Sequence, residues 1–146
     1  MSIQLPVLPC LSLRQALWVL RLGIPALFMA HAVTRIFNGT IPRFAGYLSQ
    51  FSFLPEPLLW VWAITATEII AGSCLMLGIA MRWAAAALAV IALGGMALIH
   101  VHRGWFVGEH GSGGVEYSVC LLLGLLVLAA ADREFVRKPP SPTLEA

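Results

Sequence analysis

Four stretches of the chain, about Gln15–Phe37, Pro57–Ala80, Trp83–Val101 and Gly114–Ala131, are almost unbroken hydrocarbon. A helix needs about 20 such residues to cross a bilayer core. None of the four shows the strict alternation of a membrane barrel strand. Backbone polar groups in lipid must be satisfied within the segment, which leaves helices. The expected fold class is all-α: an integral membrane four-helix bundle, up-down, with both termini on the cytoplasmic side. Only 11% of the 146 residues are charged and 60% are hydrophobic, against about 25% charged in a soluble domain. Too little polar surface exists to cover a globule in water, so membrane lipid is the first expected partner. A net charge of +2 with no basic stripe argues against nucleic acid.

Orientation follows from the cations near the helix ends. Arg14, Arg82, Arg133, Arg137 and Lys138 fall on the terminal side, with Arg21 just inside the first span. Arg35, Arg43 and Arg103 fall on the other side. The bias places both termini in the cytoplasm, and the expected location is a bacterial inner membrane. No positive charge precedes Arg14 and no small-residue cleavage site follows the first apolar run, so that run is expected to stay as a membrane helix. Residues 1–137 read as a single transmembrane domain and 138–146, Pro-rich, as a disordered tail.

Between the first two spans, Ile41, Phe44, Leu48 and Phe51 recur at three- and four-residue steps. That spacing predicts a short helix lying in the membrane interface, apolar face down. Cys10, Cys74 and Cys120 are far apart and form no CxxC pair, which argues against a dithiol enzyme working alone.

The polar residues inside the spans carry the functional argument. A charge near the bilayer centre costs about 2.5–3.5 kcal/mol and needs a partner, a wet cavity or a neutralising proton. Glu68 lies eleven residues into the second span, roughly 16 Å deep. Gly72 shares its face and would let a neighbouring helix come close. His31 lies six residues before the end of the first span, roughly 9 Å down, with Arg35 one turn further on. His100 closes the third span and Glu116 opens the fourth. Aligned by depth, Glu116, His100, His31, Arg35 and Glu68 would line a funnel from the outer surface to the midplane. Arg35 is the natural counter-charge for Glu68 or Glu116. Trp105 and Tyr117 would anchor at the interface or stack on a ring-shaped ligand. His102, Glu109 and His110 are expected in the loop outside the funnel, with Gly111 to Gly114 a flexible turn folding over its mouth.

Together these residues resemble the DoxX family of small four-helix membrane proteins. The first span has "RLGIPALFMAHAVTRI" and the second "TEIIAGSCLMLGIAMR"; the third ends in "HVHRGWF" and the fourth opens with "GGVEYS". The resemblance runs from about Arg14 to Asp132 and puts Arg21, His31, Glu68, Arg82, His100 and Glu116 at the family's motif positions. Ala32 stands where glycine is common, and residues 41–56 match poorly. The resemblance implies a membrane redox assembly, since the family includes the small subunit of a thiosulfate:quinone oxidoreductase.

The expected function is a quinone-linked redox component, an oxidoreductase subunit taking electrons from a small sulfur compound or a partner enzyme. Glu68, Glu116 and His100 are the candidate catalytic residues, handling protons. His31, Arg35, Trp105 and Tyr117 are the candidate cofactor-binding residues, with quinone as the cofactor. No haem, flavin or Fe–S signature is visible, and no metal site is expected, although His100, His102 and Glu116 carry the right donor atoms. A protein partner in a redox complex and self-association are the expected contacts. The alternative is a non-catalytic membrane subunit that anchors or assembles a redox or metal-handling complex.

Overall fold

The computed structural model describes residues 11–106 and 114–136. Among these residues there are helices and no strand. The elements are α1 (Leu13–Phe37), α2 (Ile41–Leu48), α3 (Pro57–Leu77), α4 (Met81–Gly95) and α5 (Val115–Val136). A π-helical turn, Met96–His100, and a 3₁₀ turn, Val101–Arg103, prolong α4. Four segments are long and apolar enough to cross a membrane: Leu13–Phe37, Pro57–Leu77, Met81–Arg103 and Val115–Asp132. Between 22% and 33% of each span is buried inside the bundle, so most of its surface, Trp62, Ile70, Val90 and Leu126 included, faces lipid. The chain is an integral membrane protein. Cys10, Glu109, His110, Gly111 to Gly113 and the tail 138–146 lie outside the described residues.

Local chemistry explains the helix ends. Ser12 caps α1 by accepting from the Gln15 amide, while the Gln15 side chain accepts from the Ser12 amide at 2.8 Å. That reciprocal pair satisfies two otherwise orphaned donors. Pro57 occupies the first turn of α3, where a missing N–H costs nothing. α3 ends at Leu77, three residues before the sequence suggests, because Gly78 turns left-handed at φ 78°. The Gly78 and Ile79 amides then reach back to Leu75 and Cys74. The last helix runs past Ala131 to Val136.

α1 packs against α3 and α5, α3 against α4, and α4 against α5. The core between them is built on Phe28, Leu75, Met81, Leu88, Leu125 and Leu128. Glycine sets two of the approaches. A methyl group at Gly72 would stand 2.7 Å from Met29 Cγ, and one at Gly124 would stand 2.7 Å from Ile24 Cδ1. α1 therefore rests on the small-residue faces of both α3 and α5. Arg21 is buried at the opposite end from α2, donating from Nε to the Leu75 carbonyl at 3.1 Å. Its cation sits against the C-terminus of α3, where the helix dipole favours positive charge.

α2 forms as the apolar spacing predicts, but its greasy face is turned to protein. Ile41, Ala45 and Leu48 are buried with Val61 of α3, and Leu98 packs against them. The reason is the π turn. It places Leu98 beside α2 and leaves its carbonyl to accept a hydrogen bond from the Tyr47 hydroxyl at 3.0 Å. The helix thus closes one end of the bundle and is more than an interfacial anchor.

Candidate functional site

The deepest polar contact joins α1 to α3. Arg35 Nη1 donates to Glu68 Oε2 at 2.8 Å and to Thr65 Oγ1 at 2.6 Å. Thr65 in turn donates to the Val61 carbonyl at 2.7 Å, one turn back in its own helix. The Arg35 and Glu68 side chains are 13% and 5% exposed, so this is a buried, charge-assisted pair. The Phe44 ring of α2 covers it, with its centroid 5.2 Å from Arg35 Cζ. Glu68 therefore has its counter-charge, and that charge is Arg35.

Beside the pair, under α2, lies an open cavity of about 740 Å³. Its polar wall is His31 and Arg35 from α1, Arg43 and Tyr47 from α2, Arg103 from the 3₁₀ turn and Tyr117 from α5. Leu27, Phe44 and Ile99 supply apolar wall. Helical repeat explains the membership. Leu27, His31 and Arg35 stand four apart on α1, Arg43 and Tyr47 four apart on α2, and each set forms one stripe.

Of the residues selected from sequence, His31, Arg35 and Tyr117 line this cavity. Glu68 does not; it stands behind Arg35. Glu116 does not line it either. It is half-buried in the first turn of α5, and successive helical residues point about 100° apart. Tyr117, the next residue, is the one from α5 that lines the cavity. Trp105 is 55% exposed and is absent from the wall. Its carbonyl accepts from the Glu116 amide at 3.1 Å, clipping the end of the third span to the start of the fourth. Gly114 is required at that clip, because a Cβ there would meet the Trp105 carbonyl. The five-residue funnel expected from depth is thus reduced to a wall shared by three helices and the 3₁₀ turn.

His100 lies between the two outcomes. It is half-buried, follows the lining residue Ile99, and sits near enough to His31 and Arg103 for their charges to act on it. Its Nδ1 is buried with no hydrogen-bond partner. His102 is exposed and outside the wall. Among the described residues no group of three His, Cys, Asp or Glu side chains is placed to hold a metal, so His100, His102 and Glu116 do not form such a set. Arg43, Tyr47 and Arg103 are the functional candidates that sequence reasoning missed. Their signal was the polar stripe on the far side of α2 and the Ile99–Arg103 spacing.

A second ion pair joins Arg82 to Asp132, at 3.2 Å. The Arg82 side chain is 59% exposed, and such a pair contributes little.

The family model of DoxX matches residues 16–101, more than half of the chain. No curated protein and no solved structure matches it.

Proposed function

The chain belongs to the DoxX family, and on that premise we propose that it is the membrane component of a quinone-linked redox system. The carrying observation is the cavity under α2, where hydrogen-bonding side chains from three helices face one space bounded by Leu27, Phe44 and Ile99. A flat ring with two carbonyl oxygens and a greasy tail needs that combination of donors and apolar wall. Bound there, a quinone supplies two-electron, two-proton chemistry. Arg35 acts by position: Thr65 and Glu68 hold one guanidinium nitrogen, and the others keep N–H groups for a ring oxygen. The Tyr117 hydroxyl donates or accepts, while the Tyr47 hydroxyl, whose proton goes to the Leu98 carbonyl, accepts. His31 lines the cavity and takes a proton, with His100 beside it as the next acceptor; the unpartnered His100 Nδ1 fits that task. Glu68 serves as the positioning group for Arg35. A partner protein in a redox complex, or a small sulfur compound, exchanges the electrons.

In this reading the four spans run up and down with both termini cytoplasmic, and the cavity faces outward from a bacterial inner membrane. Solvent extraction of the purified protein, followed by redox difference spectra, tests the proposal. A quinone should co-purify, and His31→Leu should lower the amount retained. Failure to retain or exchange quinone would overturn it.

A second reading is a non-catalytic subunit that anchors or assembles a redox or metal-handling complex. It is favoured by one observation: the deepest acid, Glu68, is committed to joining α1 and α3. Intact assembly of a partner enzyme by a chain that binds no quinone would select it.

A further inference from the structure

The charge on the cavity wall is unbalanced. Three arginines line it, Arg35, Arg43 and Arg103, and among the described residues no carboxylate does. Glu68 neutralises Arg35 from behind. Neither Arg43 nor Arg103 forms an ion pair with a described acidic residue. Both are exposed, one at the start of α2 and one at the end of the third span. Cations at the edge of a low-dielectric region draw a counter-ion, and charge-assisted hydrogen bonds to phosphate oxygens are the strong ones. Tyr47 and Tyr117 line the same space, with the Tyr47 hydroxyl donating to the Leu98 carbonyl.

We propose that Arg43 and Arg103 form a phosphate site at the loop side of this cavity, selecting a net anionic phosphate over a zwitterionic one. The wall's positive charge sets the selection, with no carboxylate among its described residues to hold a choline or ammonium group. Leu27 and Phe44 continue the wall in apolar side chains, which suits the start of an acyl chain. The phosphate belongs either to an anionic phospholipid headgroup or to the free ion. The site does not rest on the quinone reading: His31 lies further down α1, and the test uses no redox signal.

The full-length protein is placed in nanodiscs of equal phosphatidylglycerol and phosphatidylcholine, and the lipid it retains is read by native mass spectrometry. Phosphatidylglycerol should be retained in excess. Arg43→Gln and Arg103→Gln should each lower that preference about fivefold, and Arg43→Lys with Arg103→Lys should keep most of it. Calorimetric titration of the delipidated protein in neutral detergent with inorganic phosphate separates the sources. Binding there assigns the free ion; no binding, with phosphatidylglycerol still retained, assigns the headgroup. Equal retention of the two lipids together with no phosphate binding overturns the proposal. So does an unchanged preference in the double Gln variant with native helix content. For the wild-type chain alone, a preference indifferent to ionic strength also overturns it.

Discussion

Arg35 of α1 and Glu68 of α3 meet at 2.8 Å in a space nearly closed to solvent. Thr65 completes the contact, so one guanidinium nitrogen ties two spans together at two acceptors. An isolated charge at this depth would be expensive. The pair makes each charge the reason the other is tolerated.

Removing either partner alone should therefore be costly. Glu68→Leu strands the Arg35 cation, and Arg35→Leu strands the carboxylate. Each should destabilise the bundle by about 3–5 kcal/mol, while the double variant recovers most of the loss. Unfolding by denaturing detergent, followed by circular dichroism in a double-mutant cycle, checks this. Two single variants of wild-type stability would refute the coupling.

Gly78 should be far less replaceable than Gly39. Both adopt positive φ, 78° and 61°. A Cβ at Gly39 meets open space, whereas one at Gly78 runs into the Arg21 guanidinium. Gly39→Ala should cost about 1 kcal/mol from backbone strain alone. Gly78→Ala should cost clearly more, because Arg21 must also leave the Leu75 carbonyl. Thermal midpoints of the two variants in one detergent decide it, and equal shifts would reject the argument.

The orientation is open to chemical labelling in a background without native cysteines. Ser49→Cys, beside α2, should react with a membrane-impermeant maleimide in intact cells. Leu11→Cys, before α1, should react only after permeabilisation. Both positions are exposed. The reverse pattern would invert the assignment of the cavity to the outer face.

His31→Leu should weaken quinone binding about fivefold, the value of one lost hydrogen bond, with unchanged helix content. The residue is exposed to the cavity and takes no part in the core, so folding should not suffer. Fluorescence quenching on titration with a short-chain quinone measures the affinity. No change would remove His31 from the proposed site.

Much of this architecture is legible in the sequence because the bilayer enforces it. The apolar lengths fix four spans, the step of Ile41, Phe44 and Leu48 fixes α2, and Gly72 marks the close approach to Met29. Depth can also be counted, so Arg35 and Glu68 fall at levels where they can meet. Rotation cannot be counted. Which of Glu116 and Tyr117 faces the cavity depends on how α5 packs against Ile24 and the Trp105 carbonyl. His100 shows the same limit, because its direction is set by a π turn that no residue type announces.

The π turn at Met96–His100 carries a consequence for how such a chain can change. A π turn holds one residue more than the α-helix around it needs. Deleting a single residue there would restore a regular helix and leave the span still long enough for the membrane. The residues beyond the deletion, Arg103 included, would keep their faces, while the wide turn that presents the Leu98 carbonyl to Tyr47 would close. Length and hydropathy would record almost nothing, while α2 would lose its hydrogen bond to the third span by one codon.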